Sequence, residues 1–131
     1  MFDSPPYKLL VADGDGDFAS LCRQFFSRYE FDVRTVSSGF ACLHELCSWK
    51  PDLLILDDEL RWGKSDRILD HVKVAHLVSD TTLVILTGND RLQSYMQDND
   101  SLYLTKPFML STALELIRDS LAASPNMVYE N

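Results

Sequence analysis

The sequence predicts an α/β domain built on a parallel sheet, and three observations lead there. Short apolar runs alternate with longer stretches of helical period, as strands joined by crossover helices require. Leu53-Leu54-Ile55-Leu56 and Leu83-Val84-Ile85-Leu86 are apolar without interruption, which suits strands covered on both faces. Four runs then end on a chemically capable side chain: Asp13, Asp57, Thr87 and Lys106. In an open α/β sheet, chemistry gathers in the crevice beyond the carboxyl ends of the strands. Two carboxylates, a hydroxyl and an amine are therefore expected at one site, a set suited to holding a metal ion and handling a phosphoryl group.

Five strand-helix units follow in order. Lys8 to Ala12 is the first strand, and a helix from about Asp17 to Tyr29 carries the stripe Phe18, Leu21, Cys22, Phe25 and Phe26. Phe31 to Val36 sets Phe31 and Val33 against Asp32 and Arg34, the alternation of a half-exposed edge strand. Ser37 or Ser38 caps a helix to about Ser48, Pro51 stops it, and Leu53 to Leu56 forms a central strand ending at Asp57. After a loop at Gly63 to Ser65, a third helix runs through Ile68, Leu69, Val72 and Ala75 to about Val78. Thr82 to Leu86 is the fourth strand, Arg91 to Gln97 a weaker helix, Leu102 to Thr105 a short fifth strand, and Ser111 to Ala122 the last helix. Thr112 with Glu115 fits a capping box there, and Ala113, Leu114, Ile117 and Leu121 form the buried stripe.

The 131 residues fit one domain with one core, about 7–122, followed by a tail at 123–131. No stretch approaches the ~20 apolar residues of a membrane span, and the first residues lack the basic and apolar regions of a signal peptide. The chain reads as cytoplasmic, with no membrane partner. Twenty acids against twelve bases give a net charge of −8, which argues against direct nucleic-acid binding because phosphate backbones demand a basic surface. Cys22, Cys42 and Cys47 have no Cys-x-x-Cys spacing and read as buried free thiols. His44, His71 and His76 share no ligand spacing with Cys or Asp and read as ordinary helix residues.

Asp13-Gly14-Asp15-Gly16-Asp17 admits three readings. A calcium loop of the EF-hand kind needs Gly at its sixth position and Glu at its twelfth, where this chain has Phe18 and Gln24. That reading fails. The run also resembles the Asp-x-Asp-Gly motif of haloacid-dehalogenase-like phosphatases, in which Asp13 would be nucleophile and Asp15 acid/base. That family, however, places its acidic pair after its Thr/Ser and Lys, whereas Asp57-Asp58 precedes Thr87 and Lys106.

Taken together, the four strand ends resemble the receiver domain of two-component response regulators over about residues 7–122. Pro51-Asp52-Leu53-Leu54-Ile55-Leu56-Asp57 resembles the phosphoacceptor strand, Leu86-Thr87-Gly88 the switch hydroxyl, and Tyr103-Leu104-Thr105-Lys106-Pro107-Phe108 the lysine motif. The resemblance implies a flavodoxin-like, doubly wound five-stranded parallel sheet of order 2-1-3-4-5 with five helices. It implies Asp57 as phosphoacceptor, Thr87, Lys106 and Tyr103 as catalytic or switch residues, and a cis peptide between Lys106 and Pro107. For Mg2+ it implies Asp13, Asp57 and Glu59, the last through its backbone carbonyl, with its side chain as an alternative ligand. The implied partners are a histidine kinase or phosphotransfer protein and a downstream protein target; a homodimer is left open. The kinase would dock near Phe18, Leu21 and Phe25, and Phe108 packs.

The physical case stands beside the resemblance. A carboxylate can attack phosphorus only where a cation and an ammonium offset the repulsion from phosphoryl oxygens. New anionic oxygens on Asp57 would then draw in the Thr87 hydroxyl, and Tyr103 would rotate inward into the space vacated.

Two departures from the family pattern remain. The second acid expected after the first strand is Gly14, so weaker metal binding is expected, with Glu59 as the compensating carboxylate and Asp15 a poorer substitute because it starts the helix-entry turn. The loop after Asp57 carries Leu60-Arg61 and Lys64-Ser65 in place of the usual motifs, and Arg61, Trp62 and Lys64 are candidates for recognising a partner or for simple loop drift. The sequence thus favours a stand-alone receiver, an interaction module of the same fold that is no longer phosphorylated as the second reading, and a phosphatase as the third.

Overall fold

The computed structural model describes residues 5–60, 67–68, 70–71, 83–88 and 101–122. Strands β1 (Tyr7–Ala12), β2 (Phe31–Val36), β3 (Leu53–Asp57), β4 (Leu83–Gly88) and β5 (Ser101–Thr105) form one sheet in the order β2-β1-β3-β4-β5, with every neighbouring pair parallel. This is the order expected. Among the described residues three helices are complete, α1 (Gly16–Phe26), α2 (Gly39–Ser48) and α3 (Leu110–Ala122). Residues 67–68 and 70–71 are helical, in keeping with the third predicted helix. The predicted helix around Arg91 to Gln97, the Arg61 to Lys64 loop, His76 and the tail at 123–131 lie outside the described residues.

Period-two alternation sends successive side chains of each strand to opposite layers. Leu9, Val11, Leu53, Ile55 and Ile85 pack with Ala19, Cys22 and Phe26 of α1 and with Ala113, Leu114, Ile117 and Leu121 of α3. Leu10, Ala12, Leu54, Leu56, Val84 and Leu86 pack on the other face with Cys42 and Leu46 of α2 and with Ile68. Burial on both faces explains why β1 and β3 read as unbroken apolar runs: Leu9 through Ala12 and Leu53 through Leu56 are almost wholly inaccessible. The chain leaves β1 toward β2 on one side and returns to β3 on the other, so the crevice opens between the carboxyl ends of β1 and β3.

Local chemistry sets the helix ends. Asp15 caps α1, its carboxylate accepting from the amides of Asp17 at 3.0 Å and Phe18 at 3.2 Å. The helix stops at Phe26, three residues before the Tyr29 expected, because the amides of Arg28 and Tyr29 bond three residues back, to Phe25 and Phe26, instead of four. Ser38 caps α2 through Ala41, as one of the two serines was expected to. The capping box at Thr112 does not form. The carbonyl of Met109 already accepts from Thr112 and Ala113, so α3 starts at Leu110 and Thr112 lies inside its first turn.

Edge strand β2 shows the expected alternation, Phe31 buried and Asp32 and Arg34 exposed, with Arg34 reaching Glu45 at 2.9 Å and lying over the Trp49 ring. Two cysteines meet the expectation of buried thiols: burial pushes Cys22 and Cys42 up to about 12, aided at Cys22 by the charge of Asp13. Cys47 departs from it. One residue beyond the inward-facing Leu46, its side chain turns to solvent, with Sγ 3.9 Å from His71 Nε2. Among the described residues, no helix is long and apolar enough to cross a membrane.

Candidate functional site

The alternation that builds the two layers also sorts the chemistry at the sheet's carboxyl edge. Val11 to Asp13, Ile55 to Asp57, Ile85 to Thr87 and Leu104 to Lys106 each advance two residues, so all four functional side chains emerge on the α1–α3 side. Asp57 and Thr87 are directly paired in the β3–β4 register. Lys106 Nζ donates to Asp13 Oδ2 at 2.7 Å and lies 3.5 Å from Asp57 Oδ1. The Asp13 side chain is only 2% exposed, and its second oxygen accepts from the amide of Asp15 at 2.8 Å. Phe18 supports the ammonium from α1, with its ring centroid 4.9 Å from Nζ, and Phe108 packs edge-on against that ring, as expected of it. The Lys106–Pro107 peptide is cis, as expected.

These charges are unevenly balanced. Burial first, and then the neighbouring Asp13, push the Asp57 carboxyl above its ordinary range, with Lys106 acting in the opposite direction. Burial alone would lower Lys106, but its hydrogen bond and charge interaction with Asp13, together with the charge of Asp57, raise it overall. Asp13, Gly14, Asp15, Asp57, Glu59 and Lys106 line one open cavity of about 630 Å³. Glu59 is exposed at its rim. The Asp15 carboxylate is occupied as the α1 cap, consistent with its being the poorer substitute for a missing acid and with a poor fit to the acid/base role of the phosphatase reading. At Gly14 a Cβ would meet nothing within 4 Å. The glycine therefore removes a carboxylate from a position with room for one.

The donor set is oxygen only, as hard divalent cations prefer, and a cation would offset both the burial that chiefly raises Asp57 and the repulsion from Asp13 that adds to it. The residues present thus fit Mg2+. Among the described residues there is no His/Cys/Asp/Glu cluster of a preformed metal site.

Thr87 is fully buried, and its hydroxyl donates to the Leu56 carbonyl at 3.4 Å. Tyr103 is half-buried and its hydroxyl donates to Asp58 Oδ2 at 3.3 Å. Sequence reasoning missed Asp58 as the partner of Tyr103 and Gly88 as the position that makes room for its carboxylate. Asp58 is 4% exposed, and a Cβ at Gly88 would overlap its carboxylate. The available signal was the alternation itself, since Leu54, Leu56 and Asp58 fall on the α2 face, as do Val84, Leu86 and Gly88. Phe18 and Phe25 are partly exposed on α1, and Leu21, expected within the apolar stripe, is 56% exposed.

A doubly wound parallel sheet with acids, a hydroxyl and a lysine at its carboxyl edge defines the class of open α/β domains that carry their site at the switch point. Residues 9–118 match the response regulator receiver domain family, and the chain belongs to that family. It is similar to the transcription factor SKN7 of Candida albicans, 26% identical over 108 residues, and to a putative transcriptional regulator of Haloferax volcanii, 27% identical over 116 residues. Those alignments cover 80% and 88% of this chain but 19% of each relative. The CheY-like response regulator receiver domain protein of Methanospirillum hungatei JF-1 superposes with a TM-score of 0.79 at 16% identity, covering 95% of this chain and 98% of that one. The receiver domain of Francisella response regulator 1452 gives 0.75 at 20% identity, covering 86% and 93%. At such identities the two structures speak to the fold alone.

Proposed function

We propose that the chain is a single receiver unit that accepts a phosphoryl group on Asp57 from a phosphohistidine donor and passes the signal by protein contact. The observation that carries this reading is the convergence of Lys106 on two carboxylates, 2.7 Å from Asp13 and 3.5 Å from Asp57. An Asp57 oxygen attacks phosphorus, the P–N bond to the donor imidazole breaks, and the imidazole leaves with the electron pair and takes up a proton. Lys106 offsets the negative charge that this brings to the cavity. Asp13, Asp57 and the Glu59 backbone carbonyl would hold Mg2+, which supplies further charge neutralisation when bound. Thr87 and Tyr103 are the groups that would respond to the new oxygens. Family members work with histidine kinases, and the part-exposed Phe18 and Phe25 with exposed Leu21 offer such a partner an apolar face on α1.

Incubation with acetyl phosphate and magnesium, followed by intact mass, tests the reading. The expected result is a gain of about 80 Da on the wild type and none on Asp57→Asn. A second reading, an interaction module of the same fold, is favoured by Gly14, which leaves the cavity one carboxylate short. No mass gain even at high magnesium would select it.

A further inference from the structure

Asp58, Gly88 and Tyr103 meet at the carboxyl edge of the sheet, where Asp58 and Gly88 line the same cavity as Asp57 and Tyr103 packs on the α2 face. Asp58 follows β3, and its amide donates to the Thr87 carbonyl at 2.8 Å, which extends the β3–β4 ladder by one residue and fixes the backbone from which the carboxylate projects. The carboxylate is 4% exposed and fills the space that any side chain at position 88 would take. Gly88 has φ of +147°, a conformation that L side chains rarely adopt, so backbone and packing both reserve this space. Tyr103 stands opposite Leu86 in the β4–β5 register, packs against the apolar cluster of the α2 face, and directs its hydroxyl to Asp58 Oδ2 at 3.3 Å.

A buried carboxylate is costly unless its oxygens accept hydrogen bonds, and a half-buried phenol needs an acceptor for its proton. Each group meets part of the other's need. A carboxylate held by the ladder and by Gly88 is also a fixed acceptor, whereas the ring on β5 can turn about its side-chain bonds. We propose that Asp58 is a positioning residue for Tyr103, a latch that holds the phenol hydroxyl at the carboxyl end of β3 in the unmodified chain. The resting shape of the β4–β5 face is then set by Asp58. The latch concerns the unmodified chain, although Asp58 and Gly88 line the same cavity as Asp57 and the Asp58 charge acts on the Asp57 carboxyl.

Fluorine NMR of the full chain labelled with 3-fluorotyrosine tests it, with the Tyr103 line assigned by its loss in Tyr103→Phe. Asp58→Leu keeps much of the buried volume and removes the acceptor, whereas Asp58→Asn keeps an acceptor oxygen. The expected result is that Asp58→Leu moves the Tyr103 line and increases its H2O/D2O solvent shift. Asp58→Asn should keep the wild-type line, and the Tyr7 and Tyr29 lines should stay in place throughout. An unmoved Tyr103 line in Asp58→Leu overturns the latch, because packing alone would then hold the ring. Equal displacement in Asn and Leu variants overturns it too, because charge and not the acceptor would be responsible. Should Asp58→Leu fail to fold, the wild type decides through its Tyr103 hydroxyl, labelled at 13Cζ in mixed H2O and D2O. Two resolved lines, from slow exchange of a held proton, support the latch, and one averaged line overturns it. None of these outcomes depends on whether acetyl phosphate modifies Asp57.

Discussion

Two glycines at the carboxyl edge of one sheet do opposite work. Gly14, just after β1, has open space where a side chain would go, whereas Gly88, at the end of β4, has the Asp58 carboxylate there. The first glycine is therefore a chemical subtraction that packing does not demand. The second is a steric requirement. Both glycines line the one open cavity, but at Gly14 a side chain would meet open space, whereas at Gly88 it would meet the buried Asp58 carboxylate. One cavity thus has a wall with room to spare and a tightly specified corner, coupled through the charge that Asp58 exerts on Asp57.

The largest expected effect is at the packed corner. Gly88→Ala imposes a Cβ at φ of +147° and forces it against a buried carboxylate, so we expect a loss of about 2–4 kcal/mol in urea unfolding. Gly14→Ala, with nothing to meet, should stay within about 0.5 kcal/mol of wild type. Similar losses at both positions would erase the contrast.

The next effect tests the charge pair on the open side. Lys106→Met leaves Asp13, 2% exposed, without its ammonium partner. Stripping one member from a buried pair costs about 3–5 kcal/mol, and the 27% exposure of Lys106 reduces this to an expected ~1–3 kcal/mol. Because Lys106 is raised in the folded chain, its contribution is full below the ordinary lysine range and fades only as pH rises through the raised value. The Lys106→Met deficit should therefore be constant from neutral to mildly alkaline pH. A deficit that disappears near neutrality would sink the pair as a source of stability.

How much of this was legible in the sequence follows the same division. Asp13, Asp57, Thr87 and Lys106 could be read because each ends an apolar run, and strand alternation then places all four on one side. The strand order came from the family resemblance. Alternation puts Asp58 and Gly88 on one face, but it could not join Asp58 to Tyr103, because that contact crosses from β3 to β5 and needs the space that a side chain at Gly88 would take. The errors at Thr112 and Cys47 share another cause. Period 3.6 identifies a helix, but where it starts and which way it is rotated are decided by local bonding and packing, as when the Met109 carbonyl opens α3 at Leu110 and leaves Thr112 inside the first turn.

Restoring the missing acid sharpens the reading of Gly14. Gly14→Asp should raise Mg2+ affinity by about tenfold, the equivalent of ~1.4 kcal/mol, measured by titration on the unmodified chain. If Glu59 supplies the compensating charge, Glu59→Gln should lower that affinity several-fold more than Asp15→Asn, whose carboxylate is held by the Asp17 and Phe18 amides. Equal effects of the last two would reject Glu59 as the substitute. No gain from Gly14→Asp would mean that the open position does not face the ion.

The smallest effect concerns Asp57 itself. Its carboxyl is raised in the folded chain by burial and by Asp13, so the folded state holds the proton more tightly than the unfolded state does. Well above the raised value both states are charged, and the folded chain carries the full penalty of that charge. As pH falls through the raised value the folded chain takes up the proton first and the penalty vanishes. Asp57→Asn should therefore be more stable than wild type at about pH 7, by up to roughly 1 kcal/mol, or about 2–8 °C in Tm. The gap should close toward about pH 4, where model carboxylates titrate. Magnesium should narrow the gap at neutral pH by stabilising the wild type alone, because the ion relieves the same repulsion. A gap that ignores both pH and magnesium would place its origin in packing, and would remove the charge imbalance as the feature that distinguishes the open side from the packed corner.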